Sequence, residues 1–444
     1  MSIGSKNSTN GEINIYARDS KVGKLNLFSD GSCKIIYDND WKINGFALSP
    51  ALPLSGLTEP NAEVNFLKNI FPEGEGFQEL LDFNRVSKNN LHAILTVIGH
   101  DTSGGLVFAN EPPKTQFKNL RRVTEKELIN KLDKNSTREL IFWDGKYRLS
   151  VAGVQNKLNV LIDNKYNMYL ADGQYASTDI LKFASIIAPH ITINEYFCME
   201  LANLIGLPVA KVDLKILGKH YVLIVKRFDR IFVKDKVLKA HVVDGCQVLN
   251  LPPSHKYEQN FGSQRDVKHI RDGTKFKGLF EFTENCSIPV LDKKSILDWL
   301  LFNVLIGNSD AHGKNISFFV GKNLYKLAPF YDLLSIVYEA ENNDRLDIGL
   351  AMAIGDQFDI NKITAFDLLC LCDEVGLSFK LLKARMTFIL ANTVESLERM
   401  NDIASKHDDV VKRVFYDLKK IINVRCSLLM NELNQLDEVR KSAF

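Results

Sequence analysis

The sequence predicts an α+β fold: a small N-terminal α+β subdomain, followed by two lobes, the second of them large and helical. Three patterns predict it. Strand-like runs separated by turn residues occupy 13–37. A second set of such runs fills 158–228 around one amphipathic helix. From 295 onward, apolar residues recur mainly at helical spacing.

Composition limits the function classes. The chain of 444 residues holds about two to three domains' worth of core. It is 45% apolar and 25% charged, an ordinary globular balance. A formal charge of +2 supplies no field that calls for nucleic acid or a membrane surface. Seven cysteines are scattered at Cys33, Cys198, Cys246, Cys286, Cys370, Cys372 and Cys426. The odd count and the lack of a C-x-x-C pair argue against a disulfide framework or a zinc site. A reducing compartment fits them. The polar start MSIGSKNSTNGE has no apolar signal core, and no apolar run approaches the ~20 residues of a membrane span. A cytoplasmic protein is expected.

Residues 1–11 read as a flexible tail rich in Ser, Asn and Gly. The subdomain is expected over 12–110. Its strands at 13–17, 23–28 and 32–37 turn at Asp19-Ser20 and Ser29-Asp30-Gly31, which makes an antiparallel meander. Pro50, Pro53 and Pro60 break the chain before helical patterns at 61–70, 75–84 and 88–99. Thr102-Ser103-Gly104-Gly105 then turns into 106–109. No catalytic cluster is visible here, so packing or partner binding is its expected role. Residues 111–140 form a linker and a helix. Lys114, Lys118, Arg121 and Arg122 make it basic, as a solvated linker is, and Thr124 and Glu127 are spaced for a capping box.

The first lobe is expected over 141–235. The small-residue stretch Ser150-Val151-Ala152-Gly153-Val154-Gln155-Asn156-Lys157 enters a strand at 158–162. Such a loop can bring backbone N–H groups to phosphates, or it can simply be a hairpin turn. It is not a Walker loop. Asp163-Asn164 turns the chain toward 168–171. Lys182 closes the strand 178–183, either facing a cleft between lobes or guarding a sheet edge. The helix 194–206 takes Asn194 as N-cap and Glu195 in its first turn. Glu195 is preferred over Glu200 as a lysine partner. A hairpin of 209–216 and 221–228 ends in Lys226-Arg227-Phe228-Asp229-Arg230. In a two-lobed kinase that strand end provides backbone groups for adenine, which would place Lys226, Arg227 and Phe228 there, and the alternative is an ordinary polar strand end.

The helical lobe is expected over 236–444. A short helix at 244–249 stops at Leu251-Pro252-Pro253. The segment 254–273 is polar and unpatterned, so mobility is expected. The helix 295–306 delivers the run LFNVLIGNSDAHGKNIS at 301–317. Helices at 364–375, 379–400 and 408–436 follow, the last carrying an expected core stripe of Val411, Val414, Leu418, Ile421, Ile422, Leu428, Leu429 and Leu433.

A polar loop between two apolar elements is costly to bury without a use. Asp310 and Asn315 stand five apart. That is the spacing at which a protein-kinase loop places the Asp that orients the acceptor hydroxyl and the Asn that holds magnesium. A second metal carboxylate belongs on a nearby strand end, and Asp332 supplies one after 324–328. Asn, Asp and Gly also dominate ordinary turns, so the loop alone reads either way.

In order, 150–157, Asn194-Glu195 with Leu201-Ala202, Arg227-Phe228-Asp229-Arg230, Asp244 with Gln247, Lys256-Tyr257-Glu258, 308–315 and Tyr331-Asp332 resemble the HipA family. Pro72-Glu73-Gly74 and 99–105 extend the resemblance over nearly the whole chain. Members are serine/threonine kinases that act as toxins of bacterial toxin–antitoxin pairs. The resemblance implies a two-lobed protein-kinase-like fold using ATP and Mg2+. It implies that Asp310 is catalytic, that Asn315 and Asp332 hold magnesium, and that Lys182 contacts ATP phosphates. Val151, Ala152, Gly153, Val154 and Gln155 would form the phosphate-side loop. Lys157, Lys226, Arg227, Phe228, His312 and Lys314 complete the expected ATP site. Ser150 matches an autophosphorylation site whose modification ejects that loop and silences the kinase. The implied protein substrate is an aminoacyl-tRNA synthetase, typically glutamyl-tRNA synthetase. The implied partner is a small HipB-like helix-turn-helix antitoxin, with DNA reached only through it and no membrane involved. The chain departs from the family at Lys226, where Glu often stands. Two other functions compete: a non-catalytic co-repressor of a DNA-binding antitoxin, and a small-molecule kinase.

Overall fold

The structure is a computed structural model describing residues 9–113, 120–148, 155–170, 176–233, 236–322, 324–341, 343 and 346–443. The first strands alternate inward apolar side chains, Ile13, Ile15 and Ala17 on one and Val22, Leu25 and Leu27 on the next. They build a four-stranded antiparallel sheet in the order Cys33–Tyr37, Ser20–Phe28, Thr9–Ala17, Leu106–Ala109. Helices Ala62–Ile70, Gly74–Asn84 and Leu91–Ile98 bury Phe66, Leu67, Leu80, Ile94 and Leu95 in the core this sheet shares.

The first lobe is a six-stranded antiparallel sheet. Its order is Val212–Leu217, His220–Lys226, Asp179–Phe183, Lys157–Ile162, Met168–Leu170, Arg122–Val123. Helix Glu125–Leu132 starts on Thr124 with both halves of its capping box formed. Leu128, Leu132, Trp143, Leu158, Val160, Leu181 and Phe183 give this side of the lobe a small core of its own.

The helical lobe packs Pro289–Ile306, Phe379–Ala404 and Asp409–Ala443 against one another. A three-stranded sheet of Val242–Asp244, Ser317–Gly321 and Leu324–Leu327 lies beside the polar loop. The largest core is continuous from the N-terminal sheet through helix Ile191–Ile205 into the helical lobe. Among the described residues, no helix is long and apolar enough to cross a membrane. All seven cysteines are free thiols.

Three expectations are corrected. Leu428, expected in the core stripe of the last helix, is exposed. The helix of the first lobe begins at Ile191, with His190 in the N-cap position, so Asn194 is not its cap. Asn194 lies inside the helix and is buried, its Nδ2 donating to Ser335 O at 2.9 Å and Glu339 Oε1 at 2.8 Å. Glu195 consequently falls beyond the first turn. The segment 254–273 is tied down despite its polarity. Glu258 is buried and accepts from Ala353 N at 2.7 Å and Arg271 Nε at 2.7 Å. The segment is held by polar bonds, which leave no apolar period to read. The helix Ile336–Glu341 and the hairpin of Gly349–Ile354 with Gln357–Asp359 add to the expected elements.

Candidate active site

The apolar helix Pro289–Ile306 ends on Gly307, whose φ of 72° is left-handed and whose N–H donates to Val304 O at 3.2 Å. The polar loop departs from that cap. Asn308 anchors it: its Nδ2 donates to Asn303 Oδ1 at 2.7 Å, and its Oδ1 accepts from Asp310 N at 3.2 Å. Asn315 Nδ2 donates to Asp310 O at 3.0 Å, which closes the loop across the five-residue spacing. That bond engages the amide nitrogen of Asn315 and leaves its oxygen as the atom suited to a cation.

Lys182 projects from the strand Asp179–Phe183 across the cleft. Its Nζ lies 2.6 Å from Glu195 Oε1 and is ion-paired to Asp332 Oδ1. Burial works against the Lys182 charge, but the Asp332 and Glu195 carboxylates outweigh it and hold its pKa above the usual lysine range. Burial raises the Glu195 carboxyl despite Lys182, and its Oε2 has no hydrogen-bond partner among the described residues. Asp332 stays depressed because Lys182, backed by Lys157, outweighs its burial. Its backbone is left-handed, with φ of 54°, a conformation Asp tolerates better than most residues. Asn308 Nδ2 reaches Asp332 O at 3.5 Å, so the loop and the second carboxylate lie side by side.

Lys157 stands opposite Lys182 in the strand register, on the same face. It is buried, and desolvation pushes its pKa down to about 7 against the pull of Asp332. His312 is buried and lowered by that burial, and its Nδ1 accepts from Lys314 N at 3.3 Å. Phe228 packs against Phe319 and Tyr331, with ring centroids 5.8 and 5.7 Å away. Lys226 ends its strand exposed. Gln155 Nε2 donates to Phe183 O at 3.3 Å. Ser150, Val151, Ala152, Gly153 and Val154 lie outside the described residues.

Two residues expected at the nucleotide site have their side chains engaged elsewhere. Arg227 is buried in an ion-pair cluster. Its Nε donates to Asp229 Oδ1 at 3.0 Å, its Nη1 to Ser177 Oγ at 2.9 Å, and its Nη2 to Thr102 O at 3.1 Å. Arg230 joins through Asp229 and Asp101 at 2.7 and 3.2 Å, and Gly104 N donates to Asp229 Oδ2 at 2.9 Å. The motif thus docks the N-terminal subdomain and leaves no guanidinium for ATP. Lys314 likewise turns away from the cleft. Its Nζ donates to Asn69 O at 2.7 Å, Asn69 Oδ1 at 3.1 Å and Asp244 Oδ2 at 2.9 Å, with Glu73 Oε1 at 3.7 Å. Asn69 and Glu73 from the N-terminal subdomain therefore brace the loop, a role the sequence reading missed. The Pro72-Glu73-Gly74 motif was the available signal.

Among the described residues, no cluster of three or more His, Cys, Asp or Glu side chains could hold a metal unaided. One amide and one carboxylate, completed by phosphate oxygens, is the donor set magnesium commonly accepts. The residues present fit it.

A lysine held between two carboxylates beneath an Asp–Asn loop, on a two-lobed mixed helix and sheet fold, defines the class as a kinase. The comparisons give the lineage. The HipA N-terminal domain matches residues 13–109, and the HipA-like C-terminal domain matches 149–403. The serine/threonine-protein kinase toxin HipA of Shewanella oneidensis is 38% identical over 96% of this chain and 97% of its own length. A solved Shewanella oneidensis MR-1 structure of HipA with HipB and its operator DNA superposes with a TM-score of 0.87 at 36% identity, covering 96% of this chain and 99% of that one. The chain belongs to the HipA family.

Proposed function

We propose that the chain is an ATP- and Mg2+-dependent serine/threonine protein kinase acting as the toxin of a toxin–antitoxin pair. The observation that carries this is Lys182, bridging Glu195 and Asp332 across the cleft beside Asp310 and Asn315. Lys182 and Lys157 bind the phosphates from the sheet side. Asp310 accepts the hydrogen bond of the acceptor hydroxyl and orients it toward the γ-phosphate. The Asn315 oxygen and Asp332 would hold the cation. Bound magnesium supplies charge neutralisation for the transferring phosphoryl group. Lys226 and Phe228 border the nucleotide end, Gln155 lies at the phosphate-side loop, and neutral His312 supports the catalytic loop from within.

The finer assignments rest on family membership. An aminoacyl-tRNA synthetase, the glutamyl enzyme first, is the substrate to test. Ser150 is the autophosphorylation site to test. A HipB-like antitoxin is the partner, supported by the composition of the related complex, with DNA contact through that partner. A cytoplasmic location agrees with seven free thiols.

The test combines transfer of the γ-phosphate from labelled ATP with mass spectrometry at Ser150. Asp310→Ala should abolish transfer while magnesium-ATP still raises the thermal midpoint. Transfer at the wild-type rate by that variant sinks the assignment. Failure of magnesium-ATP to stabilise the wild-type chain would favour the non-catalytic co-repressor.

A further inference from the structure

The strip Lys256-Tyr257-Glu258 has so far no chemical role, yet it lies against the reactive loop. Its backbone is fixed on both sides. Gly313 N donates to Lys256 O at 3.0 Å, and Glu258 N donates to Ala351 O at 2.8 Å. Gly273 runs so close beneath that a Cβ there would stand 1.7 Å from Tyr257 O. The Tyr257 ring meets His312 edge-on at 5.2 Å, and Lys256 Nζ lies 5.4 Å from its centre. Lys256 is itself held by Glu73 at 2.8 Å. From this mount the Tyr257 hydroxyl donates to Asp310 Oδ1 at 2.7 Å.

That is the bond an acceptor hydroxyl must make. Asp310 does not depend on it for position, since its backbone N–H and carbonyl are held by Asn308 and Asn315. Tyr257 is 36% exposed, so its face is open to an incoming chain. We propose that Tyr257 occupies the acceptor-hydroxyl position of the phosphotransfer site, so that a serine or threonine hydroxyl enters only by displacing it from Asp310. Burial and the neighbouring Asp310 both hold the phenol above its ordinary pKa, so it remains a protonated donor. Tyr257 is then a specificity-determining residue. Acceptors able to supply both a hydroxyl and enough binding energy to displace it react, and water is kept out. The inference rests on the kinase assignment above.

The experiment compares the full-length chain with Tyr257→Phe, which keeps the ring against His312 and Lys256. The first readout is magnesium-ATP hydrolysis without acceptor. In that reaction water oxygen bonds to the γ-phosphorus, the bond to the β-phosphate oxygen breaks, and ADP, inorganic phosphate and a proton are released. The second readout is phosphorylation of dephosphorylated casein as a serine-bearing probe. Losing a hydrogen bond to a charged group should raise hydrolysis by about ten-fold. With casein, KM should fall by a similar factor with kcat retained. A drop in kcat at constant KM would make Tyr257 a support for Asp310 and overturn the proposal. Hydrolysis unchanged from wild type would overturn it as well. A wild-type chain that neither binds nor hydrolyses magnesium-ATP would instead remove the kinase assignment, and the proposal with it.

Discussion

Lys314→Met separates a structural role from a nucleotide role at one residue. The Lys314 side chain is 4% exposed, and its ammonium faces Asp244, which is 12% exposed, with Glu73 behind it. Removing the ammonium leaves the two carboxylates unequally. Glu73 keeps Lys256 at 2.8 Å, whereas among the described residues Asp244 keeps only neutral donors such as Gln247 N at 2.8 Å. Breaking a buried pair from one side costs about 3–5 kcal/mol. The surviving cap on Asp244 and its partial exposure place the expected loss near the lower end, about 3 kcal/mol. Urea unfolding followed by tryptophan fluorescence can read this, because Trp41, Trp143 and Trp299 place one reporter each in the N-terminal subdomain, the first lobe and the helical lobe, so the summed signal follows all three. Magnesium-ATP affinity, measured by calorimetry on the folded variant, should stay within about three-fold, since losing one charged contact would cost far more. Unchanged stability together with a hundred-fold loss of ATP affinity would refute the argument and return Lys314 to the phosphates.

Three further outcomes follow from the same geometry. Asp229→Ala leaves two buried guanidiniums with Asp101 as their remaining carboxylate, and should cost about 3–5 kcal/mol in urea unfolding. Asp229 and Asp101 are both held below the usual carboxylate range because the neighbouring arginines outweigh burial. Their contribution is present above the ordinary Asp pKa of about 4 and disappears as pH falls through the depressed values, so Asp229→Ala should flatten the acid limb of the stability curve. Lys157, pushed down to about 7 by burial, is mostly neutral at pH 8 in the free protein. Polyphosphate favours its ammonium, so ATP binding at pH 8 should take up a proton, seen as buffer-dependent calorimetric heat that vanishes in Lys157→Met.

The sequence made most of the fold legible because its elements obey their own periods. The meander, the capped helix after Thr124 and the stripe on Asp409–Ala443 needed no tertiary information. Asp310, Asn315, Asp332 and Lys182, each singled out by its place in the sequence, are brought to one cleft. The site was less legible where a side chain's direction decides its role. Nothing local shows that Arg227 turns toward Asp101 or Lys314 toward Asn69, because those partners lie more than a hundred residues away. The start of helix Ile191–Ile205 was misread because Asn194 looks like a cap, whereas tertiary bonds to Ser335 and Glu339 keep it inside the helix. The tyrosine on Asp310 had no signal beyond its motif, since a phenol's partner is set by packing.

The placement of helix Ile191–Ile205 limits how activity can be turned on and off. Its side chains are shared with the helical lobe through Phe197 against Phe415, 4.8 Å apart, and Asn194 is pinned to Ser335. Glu195 thus rides on the heavy half of the molecule, bolted down like a fixed jaw, while Lys182 comes from the lighter sheet. A latch that worked by swinging this helix outward would have to tear open the main core. A reversible brake that leaves that core closed has to work without moving Glu195.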